Sequence, residues 1–330
     1  MELWCIEIAC LLFYLFSLPL YLLYLLTLAK HRNGELKQSF FVIMFWLGVN
    51  DLLFISFFLL FHRSLHWNLM LGVHLWLGDG VLNVWVTLIQ ALQRSQYFLV
   101  LVATINRFTT IMLPWQHERI WSPRLTHLSI FVPTLAAVLS LAYIPMLCNL
   151  TLGNVDKTNR TWIVWHPNWC YSVTFSSLAG ILVVLSCTFT LLYVTMLLKL
   201  LRHTRMASHM ELNPIDTATR NLCLVGLVLS LFIIAQALTY AVAVVFRMHY
   251  YAHRHEYQML HVVLLVLFTM INPYLMLFSS HKIRHQFVCT AKSYFSSVEL
   301  YVSERRTTLS GLTTPLRSSR ARSYDVTTGF

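Results

Sequence analysis

The chain is 330 residues long, with 57% hydrophobic, 14% aromatic and only 11% charged residues, against about 45–50% apolar and about 25% charged in an average soluble protein. So few charges cannot cover a water-facing surface of this size, which excludes two soluble domains, a disordered chain and a disulfide-stapled mini-domain. The net charge of +11 sits between apolar runs rather than in one patch, so no nucleic-acid partner is expected and membrane lipids are.

Seven apolar stretches follow in order, at residues 8–29, 39–61, 81–113, 125–147, 176–200, 222–246 and 257–279. Each reaches the length of about 20 helical residues that a hydrocarbon core of about 30 Å requires. Barrel strands would be shorter and strictly alternating. The predicted fold class is therefore an all-α membrane protein, a seven-transmembrane helix bundle. The third stretch exceeds a straight crossing, which implies tilt or projection. Pro19, Pro133, Pro145 and Pro273 are read as kinks, because neighbouring helices re-satisfy the freed backbone groups. Glu2 and Glu7 stand where a cleaved leader would be basic, and Lys30 follows, so the first stretch reads as an uncleaved anchor.

Most of the 24 Lys and Arg residues fall on one side of the predicted crossings: Lys30 to Lys37, Arg107 to Arg124, Lys199 to Arg220, and the tail from Lys282. The positive-inside rule makes that side cytoplasmic, with the N-terminus outside and the C-terminus in the cytoplasm. Two Asn-x-Thr sequons, at Asn149 and Asn159, lie in the long loop after the fourth stretch, on the side assigned to the exterior, and are candidate glycosylation sites. The expected organisation is a bundle at 1–280, an interfacial helix at 281–296, and a disordered Ser/Thr/Arg-rich tail at 297–330. In the interfacial helix Ile283, Phe287, Val288 and Phe295 would face lipid, and Lys282, Arg284 and Lys292 water. The tail is a phosphorylation target for arrestin-like proteins, or a charged, solubilising end.

Three motifs carry chemistry. Asn50-Asp51 puts a carboxylate at mid-membrane depth, where it needs a partner, water or an ion, or sits neutral and ties helices together. Asn106-Arg107-Phe108 closes the third stretch with a cation that either faces an interior crevice or snorkels to the boundary. Asn272-Pro273-Tyr274 closes the seventh, where proline frees a carbonyl and makes a deformable segment or a passive kink.

Seven helices with Asn106-Arg107-Phe108 and Asn272-Pro273-Tyr274 at these ends resemble G-protein-coupled receptors. Thr104 to Phe108 leading to Pro114 and Glu118-Arg119-Ile120-Trp121, with Asn272-Pro273-Tyr274 running into Ser279, are similar to the nematode serpentine chemoreceptors. The gamma class is the nearer match, with the V class as its neighbour. The resemblance implies a chemoreceptor in the plasma membrane of sensory neurons or cilia, taking a small-molecule ligand and signalling through a heterotrimeric G protein. It makes Asp51, Asn106, Arg107, Asn272, Pro273 and Tyr274 the switch residues.

The chain departs from the wider pattern in three places. Asn106 replaces an acid, so a resting latch would be weak or would use Glu211 or Asp216. No Cys lies between Cys10 and Cys148, so a disulfide from the third helix cannot form, and the sixth stretch has no Pro. Cys148 and Cys170 bracket the outer loop and can bridge locally, with Cys5 a competing partner for Cys170 and two free thiols the third outcome.

The ligand region is read from polar groups at helical spacing: Gln90, Gln93, Arg94 and Tyr97 in the third stretch, Gln236 and Tyr240 in the sixth, Tyr257 and His261 in the seventh. Arg94 either receives a carboxylate or other acceptor of the ligand, or pairs with Asp79, Glu7 or Glu256. No cofactor or metal is expected; His249, His253 and His255 read as a solvated loop. No nucleophile or metalloprotease motif is present, so the chain is not read as an enzyme. A transporter or ligand-gated channel is the alternative.

Overall fold

In lipid, backbone groups have no water to bond, so each long apolar run closes its hydrogen bonds within itself. The computed structural model describes residues 2–31, 34, 36, 38–63, 71–154, 161–166, 168–206, 214–245, 254–294 and 296. Seven long helices run through them: α1 (Glu2–Lys30), α2 (Ser39–Phe57), α3 (Asp79–Met112), α4 (Pro123–Leu139), α5 (Asn168–Met206), α6 (Pro214–Val245) and α7 (Arg254–Ser279). An eighth, α8, covers 281–294. Most of the helices outrun the apolar stretches because polar residues at either end extend the same backbone ladder. α2 continues into a π-helical turn at Phe58–Arg63, and α4 into a short helix at Tyr143–Leu147. Gly78, at φ 78°, makes the left-handed turn between the short helix Leu71–Leu77 and α3.

Six helices contain segments long and apolar enough to cross a membrane. The seventh, α3, is the most polar, and its position explains why. It packs against α2, α4, α5 and α6, whereas α1 touches chiefly α2 and α7. A helix enclosed by protein needs no apolar surface for lipid, so α3 buries Gln93, Arg94, Ser95, Gln96, Thr104 and Asn106. The outer helices show the reverse pattern, with Phe16, Phe131, Leu191 and Leu238 exposed on their far faces. The fold is thus a multi-pass seven-helix bundle wound around α3.

The segment after α4 is not all loop. Asn149–Asn154 (β1) and Thr161–His166 (β2) pair antiparallel, with Asn149 opposite His166. Asn83 of α3 clamps the start of β1: its Nδ2 donates to the Cys148 carbonyl at 3.3 Å and its Oδ1 accepts from Leu150 N–H at 3.0 Å. A disulfide joins Cys148 to Cys170 in the first turn of α5, with a Cα separation of 6.0 Å. Asn83 therefore supplies the tether to α3 that a cysteine in that helix would otherwise give.

α8 is oriented differently from the sequence expectation. Ile283 is fully buried against the bundle, with Gln286 and Thr290 on the same inner face and Phe287 packed beside it. Lys282, Arg284 and Lys292 are exposed, as is Val288. Apolar area at spacings of three and four found protein before lipid. Residues 297–330, Phe295 and Asn159 lie outside the described residues, as do His249, His253 and Glu211 and the side chains of His255, Tyr257, Asp216 and Glu256.

Candidate functional site

Three polar clusters lie along α3. At mid-depth Asp51, fully buried on α2, accepts a hydrogen bond from Tyr21 of α1 at 2.6 Å and from Asn272 of α7 at 2.9 Å, both at Oδ2. Asn50 donates to the Leu92 carbonyl of α3 at 3.0 Å, and Gln96 donates to Thr269 of α7 at 3.1 Å. One carboxylate thus ties α1, α2 and α7 together beside the Asn-Pro step. Pro273 is buried, and Tyr274 turns to α1, where its hydroxyl pairs with Ser17 at 2.9 Å and its ring stacks on Phe13.

Toward the disulfide end a hydrogen-bond chain crosses the bundle. Gln93 Nε2 donates to the hydroxyls of Tyr97 at 3.1 Å and Tyr240 at 3.5 Å. Tyr97 donates onward to Gln236 Oε1. Tyr240 pairs with His261 Nε2 at 3.1 Å, its ring edge-on to the imidazole. The chain joins α3, α6 and α7 in a surrounding of Phe175, Phe268 and aliphatic side chains.

Arg94, one residue from Gln93, looks the other way. Its Nη1 donates to Ser140, the residue that caps the C-terminus of α4, at 3.1 Å, and its Nη2 to Ser177 at 2.8 Å and the Thr174 carbonyl at 3.3 Å on α5. Of the acids weighed from the sequence, Asp79 and Glu7 are described, and neither pairs with Arg94. Asp79 is exposed at the start of α3, 15 residues and roughly 22 Å away along the axis. Glu7 is buried on α1, which packs chiefly on α2 and α7. Gln90 is half-buried, and its Oε1 has no donor among the described residues.

At the other end of α3, Asn106 is buried and donates to Ser39 of α2 at 2.8 Å. Arg107 lies over the Phe40 ring. Lys199 of α5 reaches the C-terminus of α3 and donates to the Ile111 carbonyl at 2.6 Å, where orphan carbonyls and the negative end of the dipole favour a cation. The short helix Pro114–Ile120 folds back: Trp121 Nε1 donates to Thr109 at 2.7 Å, and His117 pairs with Thr109 at 3.2 Å. Burial and then the Arg107 charge hold the His117 imidazole below its ordinary value, with Glu118 opposing. One turn above Arg107, Thr104 pairs with Tyr193 of α5 at 3.1 Å, and Tyr193 lies against Gly226 of α6.

The sequence singled out every member of the chain from Gln93 and Tyr97 through Gln236 and Tyr240 to His261, but only one side of the other networks. Tyr21, Gln96, Asn83, Phe40 and Tyr193 were not singled out, since no motif marks a residue whose partner lies on another helix. A polar or aromatic group facing a buried neighbour at matching depth was the only signal available.

A carboxylate bracing α1, α2 and α7, an Asn-Arg step ending the central helix and an Asn-Pro-Tyr step ending the last define a bundle of the G-protein-coupled receptor type. Residues 10–293 match the family described as serpentine type 7TM GPCR chemoreceptor Srv, and the chain belongs to that family. The match falls on the V class; the expected closeness to the gamma class is not what it supports, because motifs a few residues long are shared across classes. No curated protein matches the chain.

Proposed function

We propose that this chemoreceptor-family protein binds a small ligand at the disulfide end of the bundle and activates a heterotrimeric G protein at the Arg107 end. The observation that carries this reading is the chain Gln93–Tyr97–Gln236, with its branch through Tyr240 to His261. It couples α3 to α6 and α7 inside an otherwise apolar interior, so a ligand that competes for any of its groups changes how those helices pack. The orientation follows from the basic side of the sequence: hairpin and sequons outside, with Asn149 and Asn159 as glycosylation sites, and α8 and residues 297–330 in the cytoplasm. Its place is the plasma membrane of sensory cells. Phosphorylation of the tail would recruit arrestin-like partners.

A ligand shifts two packings only by its preference between them, about 1.4 kcal/mol for each tenfold change in population. The moving element is the Thr219–Arg220 end of α6, swinging away from Arg107 and opening a groove for the C-terminal helix of Gα. Asp51, Asn272 and Pro273 provide the deformable link at mid-depth, with Tyr274 anchoring it to α1.

The test is a screen of acidic and neutral odorants on the full chain co-expressed with a promiscuous Gα. Odorant-evoked nucleotide exchange that Arg107→Ala abolishes, with odorant binding retained, supports the proposal. Odorant-evoked current in the absence of any G protein replaces it with a channel.

A further inference from the structure

We propose that Arg94 anchors an anion subsite that takes the carboxylate of a small organic acid. Arg94 is 2% exposed, so its charge is removed from solvent. Three of its N–H groups meet Ser140, Ser177 and the Thr174 carbonyl, all neutral oxygens. The two serine hydroxyls donate their own protons to Ala137 and Thr174 carbonyls of their own helices. They therefore face Arg94 with lone pairs only and contribute no negative charge. Arg94 Nε is buried with no acceptor among the described residues. No described carboxylate forms an ion pair with it: Asp51 is held by Tyr21 and Asn272, Asp79 is exposed at the start of α3, and Glu7 belongs to α1, which packs chiefly on α2 and α7.

An enclosed guanidinium with neutral partners is electrostatically incomplete, because dipoles reduce its desolvation cost without balancing its charge. A donor left buried and unmade adds to that cost. Both deficits vanish when an anion arrives, and a carboxylate offers acceptors for several N–H groups at once. The position suits a ligand entering from the disulfide end. Thr174 is one turn beyond Cys170, and Tyr143 closes over it with a 2.6 Å contact between hydroxyl groups. Gln93, the adjacent residue, begins the chain to α6 and α7 on the other face, so an acid seated on Arg94 acts on those helices through the turn of α3 that the two residues share. The meaning of the subsite as a sensory one rests on the receptor reading above; the binding itself does not.

The experiment uses the full chain in lipid nanodiscs and follows its thermal unfolding with butanoate, hexanoate and benzoate, with their methyl esters, and with chloride at matched ionic strength. The acids should raise the midpoint saturably, and esterification should weaken apparent affinity about tenfold or more, as loss of a charge-assisted pair implies. Arg94→Gln should erase the preference for acid over ester, and Arg94→Lys should keep part of it. Esters that stabilise as well as acids overturn the subsite, as does an acid preference that survives in Arg94→Gln. Chloride giving the whole shift overturns the assignment to organic acids. The acid–ester comparison on the unaltered chain decides the matter even where Arg94→Gln does not fold. Acids that bind without any nucleotide exchange would sink the receptor reading and leave the subsite. Exchange driven by esters alone, with no acid binding, would sink the subsite and leave the receptor.

Discussion

The guanidinium carbon of Arg107 lies 3.4 Å from the centroid of the Phe40 ring. Phe40 is the second residue of α2, so the cation is held at the positive end of that helix dipole. The ring attracts the charge and the dipole repels it. A contact built from opposing terms holds lightly and releases easily, in a chain where Asn106 has replaced an acid and itself bonds Ser39.

Phe40→Leu should therefore raise basal nucleotide exchange about two- to tenfold, the population shift carried by about 0.5–1.4 kcal/mol of cation–π attraction. Exchange in isolated membranes at matched receptor density measures it. Basal exchange equal to that of the unaltered chain would show that Arg107 is restrained by other groups.

Asp51→Ala leaves the Tyr21 hydroxyl and the Asn272 amide without their shared acceptor, costing about 1–3 kcal/mol for each donor left buried. Asp51→Asn keeps an oxygen at that place and should cost less. Thermal midpoints of the two variants, compared with the parent, check the order; an Asp51→Ala protein as stable as Asp51→Asn refutes it.

Gly226 faces the Tyr193 phenol so closely that an added Cβ would run into the ring. Gly226→Val should displace Tyr193 from Thr104 and destabilise by about 1–3 kcal/mol, as overpacking does. Pairing it with Tyr193→Ala, which clears the space, should recover part of the loss. No recovery in the double variant would place the strain elsewhere.

His117 yields a pH dependence with a definite sign. Its folded value lies below the ordinary imidazole value of about 6.5, so the unfolded chain takes the proton first. The contribution is fully present above about 6.5 and is lost as pH falls from there through the folded value. Unfolding midpoints between pH 7.5 and 5, for the parent and for His117→Asn, isolate it: the parent should lose more stability on acidification. Parallel curves would mean that His117 is as open to protonation as any solvent-exposed imidazole.

The seven helices were legible because crossing a bilayer imposes length and apolarity on each run separately. Partnership was not, since it depends on which helices pack together. Gln93 and Arg94 share a stretch of sequence and a depth, yet one faces Tyr240 and the other Ser140 and Ser177. The hairpin was hidden for a different reason. Thr161–His166 mixes Trp, Ile and Val with polar ends over six residues, too short a run to separate from a loop around two sequons. Ile283 and Phe287 were assigned to lipid because amphipathic spacing states that a face is apolar, not what covers it.

The polarity of α3 also bears on how the chain is made. An arginine at the centre of a lone helix costs about 2.5–3.5 kcal/mol during insertion, and α3 carries Arg94 together with buried glutamines. Emerging from the ribosome before α4 and α5, it has none of the serine oxygens that later receive its guanidinium. Stable integration of α3 is then expected to await the synthesis of its later neighbours. In chains halted after Met112, which α1 and α2 already anchor, a cysteine placed in α3 should be reached by a water-soluble thiol reagent, whereas in chains carried past Met206 it should be protected; equal protection in both would mean that α3 enters the bilayer unaided.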